Sequence, residues 1–297
     1  MSILNMLPPV KGLLQENADV GKRSWFGTGG PAEVLFVPAD MDDLVVFLRN
    51  LPQDIAITPL GAMSNVLIRR SGIRGVAIML GDWFKKIFVD ENVLEVGAAV
   101  HCNELATVAM YHELGGLEFL IGLPGTVGGA IKMNAGSNGV GISNVMMECE
   151  AVTSSGLVKW VRVTDMDFGY RHSSVADDLI ITRAWFRGIP NASYSITKRT
   201  KELLSKRTES QPTGVRTCGS TFKNPDSKKA WELIDAAGCR GLRIGGAAVS
   251  EKHCNFIINE DNATPEDIEN LAQSVAQRVF DKTGIALEWE IILLGDK

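Results

Sequence analysis

Apolar residues recur along this chain in two alternating patterns. Short apolar runs bounded by turn residues are typical of buried strands, and they occur at residues 32–37, 55–58, 76–79 and 93–96. Apolar residues at helical spacing predict helices among and after these strands. These helices are expected directly after Asp40 and at residues 103–114, 197–207 and 228–237.

The clearest predicted helix lies near the C-terminus. Thr264 is a favourable N-cap, Pro265 suits the first turn, and apolar residues continue at helical spacing as far as Gly284. A final strand follows, whose apolar residues share one face. Glu288 and Glu290 therefore lie on the opposite face.

The distribution of the two patterns indicates an α+β protein with more than one domain. Residues 146–186 are rich in strand patterns, and a strongly basic helix pattern follows them. A chain of this length accommodates two or three domains. We expect one domain at 1–190, in two parts at about 1–75 and 76–190, and another at 191–297.

Composition narrows the class of function. The 297 residues include 30 Lys and Arg against 35 Asp and Glu, and the resulting net charge of −5 argues against nucleic-acid binding. Five scattered cysteines and four histidines show neither a CxxC pair nor metal-ligand spacing, so we expect a reducing compartment and no metal site. With no secretory signal and no apolar run of membrane-spanning length, we expect a cytoplasmic protein that is not bound to a membrane and is a monomer.

Two glycine-rich segments are candidates for holding an anion by backbone groups alone. Residues 61–65 lie between two predicted strands, and residues 122–130 are followed by Asn134 and Gly136. Such turns form concave nests of N–H groups that suit a pyrophosphate, although each alone also fits an ordinary turn between strands. Together, and without the lysine-bearing phosphate loop or the GxGxxG motif of other nucleotide folds, they favour a bound dinucleotide.

Several short segments, in this order along the chain, resemble the UDP-N-acetylenolpyruvoylglucosamine reductases. They are WFGTGGPA (25–32), SN (64–65), GLPGTVGGA (122–130), GSTFKNP (219–225), AAG (236–238), GGA (245–247), HCNFIIN (253–259) and LEWEI (287–291). The chain has no additional tyrosine-bearing loop before the GSTFKNP segment. It therefore resembles the shorter of the two subtypes of that family.

The resemblance implies a fold and a reaction. The fold is a vanillyl-alcohol-oxidase (PCMH-type) FAD-binding domain of two α+β subdomains, followed by a C-terminal α+β substrate-binding domain. The implied reaction is the reduction of UDP-N-acetylglucosamine enolpyruvate to UDP-N-acetylmuramate for peptidoglycan, with FAD and NADPH as cofactors. The residues expected to contact FAD are Gly61, Ala62, Met63, Ser64, Asn65, Gly122, Pro124, Gly125, Thr126, Gly128, Gly129, Ala130, Asn134 and Gly136.

The resemblance also assigns catalytic and substrate-binding roles. Arg171 matches the arginine that polarises the substrate carboxylate, and the planar guanidinium suits that group. Ser220 matches the proton donor, and Glu290 matches the glutamate that helps to stabilise the enolate. Substrate contacts are expected from Tyr170, Arg207, Lys223, Asn224 and His253, with Arg207 meeting the UDP diphosphate.

Two positions depart from the family pattern. Met63 stands where relatives commonly have a second glycine, so either the turn has a different shape or its backbone nest is looser. The residue at position 63 is expected to affect the affinity for FAD rather than the catalysed reaction. Gly27 stands where relatives often have arginine or another polar residue.

Two other functions remain open from the residues. One is a different oxidoreductase on the same flavin fold, and the other is a flavin- or nucleotide-sugar-binding protein without turnover. The presence together of Arg171, Ser220 and Glu290 argues against both. A yellow protein that NADPH bleaches would distinguish a flavin reductase from a binding protein.

Overall fold

The computed structural model describes residues 2–226 and 228–297. Contacts group the chain into two compact units. The first consists of residues 1–17, 33–62 and 74–207, and the second of residues 18–32, 63–73 and 208–297. Two short stretches from the N-terminal part thus pack with the C-terminal residues, and the domain boundary at residue 190 stays a prediction. None of the helices in the described residues is long and apolar enough to cross a membrane.

A four-stranded sheet lies mostly in the first unit. Its strands, in spatial order, are Leu13–Ala18, Ala32–Val37, Ile73–Met79 and Ile57–Leu60. Helix Met41–Asn50 begins after Asp40, whose carboxylate accepts a hydrogen bond from the Asp43 amide at 2.8 Å. This N-cap satisfies an amide that the helix itself leaves unpaired. The apolar face of the helix packs into one core with the strands.

The first unit also contains an antiparallel five-stranded sheet. Its strands, in spatial order, are Val158–Arg162, Met146–Val152, Ile180–Arg187, Val93–Gly97 and Ile87–Asp90. Helices Cys102–Tyr111 and Val127–Lys132 contribute Leu105, Val127 and Ile131 to the core beside this sheet. The long helix Ser193–Ser210 follows the last strands. This sheet and its helices position the second glycine-rich segment.

The second unit is built around the C-terminal helix. Strands Arg243–Ile244, Ala247–Val249 and Ile257–Asn259 form an antiparallel sheet, and Val66–Ile68 pairs in parallel with Ile292–Leu294. Helices Ala230–Ala236 and Pro265–Thr283 share a core with these strands. Thr264 and Asp267 form a capping box at the start of the long helix, and Gly284 ends it at φ 69°.

The remaining elements are short. They are the helical turns Ile3–Met6, Val20–Arg23, Asp82–Phe84, Glu118–Leu120, Ile142–Asn144 and Val163–Asp165, and the two-residue strands Leu114–Gly115, Gly136–Ser137, Val140–Gly141 and Ile189–Pro190.

The structure confirms most of the predicted elements but changes several of their ends. The helix predicted at 103–114 ends at Tyr111, because Glu113 takes a left-handed φ of 56° and Leu114–Gly115 pairs as a short strand. The strand predicted at 55–58 lies at Ile57–Leu60. The final strand is only Ile292–Leu294, although Leu287 and Ile291 are buried as the alternation predicts.

Candidate active site

The second glycine-rich segment makes a tight turn into a short helix in the first unit. Gly122 and Gly125 have φ values of 75° and 107°, which favour glycine strongly. The turn is fixed to the neighbouring strand end: the Val127 amide donates to the Val100 carbonyl at 2.8 Å, and the Gly128 amide donates to the Ala98 carbonyl at 2.9 Å. The loop is therefore held rigidly at its helical end.

The structure brings the two predicted glycine-rich segments together at Gly61 and Thr126. A Cβ atom added at Gly61 would lie 2.7 Å from Oγ1 of Thr126, and one added at Gly129 would lie 3.8 Å from the same oxygen. A side chain at residue 61 would therefore fill the space beside the Thr126 hydroxyl. A concave, glycine-lined turn with a hydroxyl at its edge suits a pyrophosphate. The residues that are present thus fit the FAD that the sequence predicts.

Arg171 lies beside Gly136, which follows the second glycine-rich segment in the first unit. Its φ is 53°, and its Nη2 donates to the Gly136 carbonyl at 3.3 Å. The guanidinium also lies 5.2 Å from the centre of the Tyr170 ring. Asn134, predicted to contact FAD, donates from Nδ2 to the Gly169 carbonyl at 2.9 Å and so supports the turn that carries Arg171.

The first glycine-rich segment passes from the first unit to the second after Ala62. Met63, the residue that departs from the family pattern, has a φ of 52° and is 7% exposed. The turn thus keeps a left-handed residue although that residue is a buried methionine. Two positions later, Asn65 donates from Nδ2 to the Glu290 carbonyl at 2.8 Å. Asn65 therefore supports the segment that contains a predicted catalytic residue.

Ser220 and Glu290 lie on neighbouring segments of the second unit. Ser220 follows Gly219, at φ 81°, and pairs with Phe256 in an isolated antiparallel bridge. The Glu290 amide donates to the Thr221 carbonyl at 2.9 Å. The structure thus brings together two of the three predicted catalytic residues within this unit.

Three predicted substrate-binding residues of the second unit have structural partners or packing. Lys223 lies 3.5 Å from Oε2 of Glu288, and Oδ1 of Asn224 accepts a hydrogen bond from the first amide of helix Ala230–Ala236 at 2.9 Å. The His253 ring packs edge-on against Phe256, with ring centres 4.8 Å apart. Burial lowers the pKa of His253, and its Nδ1 has no hydrogen-bond partner within the described residues.

Arg207 belongs to the first unit and lies beside the second glycine-rich segment. A Cβ atom at Gly122 would be 3.0 Å from its Cδ and 3.6 Å from its Nε. Burial lowers the pKa of Arg207. Within the described residues, 2–226 and 228–297, no carboxylate forms an ion pair with its guanidinium. A half-buried cation without an anionic partner among the described residues fits an anion-binding position.

Comparisons with known proteins identify the family of this chain. The FAD binding domain model matches residues 32–162, and the model of the UDP-N-acetylenolpyruvoylglucosamine reductase C-terminal domain matches residues 211–294. The reductase of that name from Gluconobacter oxydans is 47% identical over 97% of this chain and 95% of the relative. The chain belongs to the UDP-N-acetylenolpyruvoylglucosamine reductase family. It is an oxidoreductase with an FAD binding domain, as the sequence predicted.

Two further reductases of this family, and one oxidase outside it, are similar to this chain. The UDP-N-acetylenolpyruvoylglucosamine reductase from Beijerinckia indica is 45% identical over 97% of this chain and 93% of its own. The crystal structure of the enzyme from Thermus caldophilus is 29% identical, with a TM-score of 0.83 over 97% of this chain and all of that one. The 6-hydroxy-D-nicotine oxidase from Arthrobacter nicotinovorans shares only the fold, at 10% identity and a TM-score of 0.56. The predicted fold class is confirmed.

Two residues near Ser220 in this reductase, Asn255 and Thr221, could not be recognised from the sequence. The Asn255 side chain is 4% exposed and bonds to both backbone groups of Phe222. The Thr221 hydroxyl is buried and has no hydrogen-bond partner within the described residues. Neither has a local sequence signal, because the partners of Asn255 are 33 residues away in the chain.

Proposed function

We propose that this chain reduces the enolpyruvyl ether of UDP-N-acetylglucosamine to UDP-N-acetylmuramate, a cytoplasmic step of peptidoglycan precursor synthesis, with FAD bound and NADPH as electron donor. The observation that carries the proposal is the pairing of the segments that contain Ser220 and Glu290 in the second unit. A hydroxyl and a carboxyl on adjacent segments can supply a proton and stabilise negative charge during reduction of a conjugated double bond. The names of the curated relatives support the choice of substrate.

The proposed flavin site uses the two glycine-rich segments. Gly61, Thr126 and Gly129 line the turn, where a side chain at residue 61 would press against the Thr126 hydroxyl, and we assign the pyrophosphate to this turn. When bound, the flavin supplies hydride transfer between NADPH and the substrate. The glycines allow close approach of the pyrophosphate, and the fixed backbone of Val127 and Gly128 keeps the turn rigid.

The proposed role of Arg207 follows from its packing. Its aliphatic stem lies against Gly122 of the flavin loop, and its half-buried side chain has no carboxylate partner within the described residues. A phosphate would compensate this charge. Contact with the flavin diphosphate is therefore favoured over contact with the UDP diphosphate that the sequence analysis expects.

The three catalytic assignments are proposed from their chemistry and their match to the family. The Arg171 guanidinium would bind the substrate carboxylate and stabilise the charge that builds on it. Glu290, in its protonated form, would hydrogen-bond the enolate. Ser220 would hold a proton at its hydroxyl and release it to the substrate carbon after hydride arrives at the neighbouring carbon. Tyr170, Lys223, Asn224 and His253 remain proposed substrate contacts.

An anaerobic stopped-flow experiment tests the proposal. NADPH is expected to bleach the flavin of the purified protein, and the enolpyruvyl ether is expected to restore its colour. Ser220→Ala should keep the bleaching and slow the return of colour by roughly 10²- to 10⁴-fold, the usual contribution of a general acid. Bleaching without return of colour in the unsubstituted protein would show that the substrate is wrong.

A further inference from the structure

The segment that carries Ser220 is held on both sides within the second unit. On one side Ser220 bridges Phe256, and on the other Phe222 bridges Trp289. These bridges are isolated rather than parts of continuous strands. Few backbone bonds therefore determine where Ser220 and Glu290 lie relative to one another.

Asn255 supplies much of this restraint. Its carbonyl accepts a hydrogen bond from the Thr221 amide at 2.7 Å. Its side chain accepts a hydrogen bond from the Phe222 amide at 3.0 Å and donates one to the Phe222 carbonyl at 2.8 Å. The carboxamide thus pairs with Phe222 as the peptide group of a neighbouring strand would.

The same backbone array continues to Glu290. Thr221, whose amide bonds to Asn255, accepts a hydrogen bond from the Glu290 amide at 2.9 Å through its own carbonyl. The Glu290 carbonyl accepts the hydrogen bond from Asn65. One connected row of hydrogen bonds therefore runs from Asn255 through Thr221 to Glu290 and Asn65.

We infer that Asn255 is a positioning residue whose side chain, through its two hydrogen bonds to Phe222, fixes the Ser220 segment for protonation of the substrate. The Thr221 carbonyl that bonds the Glu290 amide belongs to the same segment and is fixed with it. This inference rests on the proposed function. Asparagine is required because the position needs a donor and an acceptor at once: aspartate lacks the donor, and glutamine is longer by one methylene group. Because a misplacement of about 1 Å can slow a reaction roughly 10²-fold, a small shift of this segment has a large effect.

The inference makes a prediction that separates the two halves of the catalytic cycle. Bleaching of the flavin by NADPH does not use the proton of Ser220, whereas reaction with the enolpyruvyl ether does. Loss of the Asn255 restraint should therefore slow only the second half. A residue with a purely structural role would affect both halves or neither.

Asn259 offers a matched control in the same unit. It is 7% exposed, its Nδ2 donates to the Phe26 carbonyl at 2.8 Å, and its Oδ1 accepts from the Ala263 amide at 2.8 Å. Asn259→Asp and Asn255→Asp each remove one buried donor that bonds a backbone carbonyl. Both variants should have a lower melting temperature, so stability alone does not distinguish them.

The test measures both half-reactions by anaerobic stopped flow in the flavin-loaded variants. Asn255→Asp is expected to slow the return of flavin colour roughly 10- to 100-fold, with an increased solvent deuterium isotope effect and unchanged bleaching by NADPH. Asn259→Asp should change neither rate by more than about twofold. If Asn255→Asp does not fold, Asn255→Ser, which keeps a shorter donor and acceptor, is expected to show the same selective loss.

Equal slowing of both half-reactions in the Asn255 variant would overturn the inference, as would the same selective loss in Asn259→Asp. If the ether does not restore the flavin colour of the unsubstituted protein, the proposed function fails before any variant is compared, and the inference fails with it.

Discussion

Met63 combines a left-handed backbone, at φ 52°, with a buried side chain that is 7% exposed. Substitution by alanine removes buried methylene and thioether groups and should cost about 2–5 kcal/mol of unfolding free energy. The left-handed conformation costs an L-residue about 1–2 kcal/mol, and glycine avoids this cost. In a helix the preference is reversed, because glycine lowers the free energy of unfolding by about 1 kcal/mol relative to alanine.

Met110, in helix Cys102–Tyr111, provides the comparison site. Relative to alanine, glycine should gain about 1–2 kcal/mol of unfolding free energy at Met63 and lose about 1 kcal/mol at Met110, so the two sites should differ by about 2–3 kcal/mol. Denaturant unfolding of the four variants, with equal slopes, measures this difference directly. The same loss from alanine to glycine at both sites would refute a left-handed turn at Met63.

Three further predictions concern single groups. Thr221→Val removes a buried hydroxyl without a partner in the described residues and should raise the unfolding free energy by about 1 kcal/mol in a denaturant titration; a loss of stability would indicate that the hydroxyl is satisfied. Arg69 makes a bidentate ion pair with Glu269 and lowers the pKa of that carboxyl. The contribution of this ion pair to the free energy of unfolding is therefore present above the unfolded pKa of about 4.3 and is lost as the pH falls through the folded pKa. Glu269→Gln should accordingly lower the free energy of unfolding by about 2 kcal/mol near neutral pH and by less in acid. An equal decrease at both pH values, measured by denaturant unfolding, would contradict the ion pair. Arg207→Gln should weaken FAD binding roughly tenfold in a fluorescence titration while the KM for the enolpyruvyl ether is unchanged. Lys206→Gln, at the exposed neighbouring residue, is the control and should change neither quantity. A raised KM with unchanged FAD binding would show that Arg207 contacts the UDP diphosphate instead.

Elements with local signals could be predicted from the sequence. The helix Pro265–Thr283 has its N-cap, first-turn proline and terminal glycine within one contiguous segment, and the structure places both ends as expected. The strand Ala32–Val37 is equally well determined by its apolar run. These signals act between residues close in the chain, so they do not depend on how distant segments pair.

Features that depend on distant pairing could not be predicted from the residues alone. The contact between Gly61 and Thr126 joins segments 65 residues apart, and the Asn255 bonds to Phe222 depend on the register of isolated bridges. The end of the helix at Tyr111 depends on the short strand pair that follows it. The roles of Ser220 and Glu290 came from resemblance to a family, because a serine in a turn or a glutamate near a strand has no distinctive local pattern.

The most direct test of the proposed reaction is the product formed when the flavin-loaded protein is incubated with NADPH and UDP-N-acetylglucosamine enolpyruvate. Mass spectrometry should show a product heavier than the ether by one hydride and one proton, with NADPH consumed in equal amount. Ser220→Ala should lose this product while NADPH still bleaches its flavin. Recovery of the ether unchanged while the unsubstituted protein consumes NADPH would contradict the proposed function.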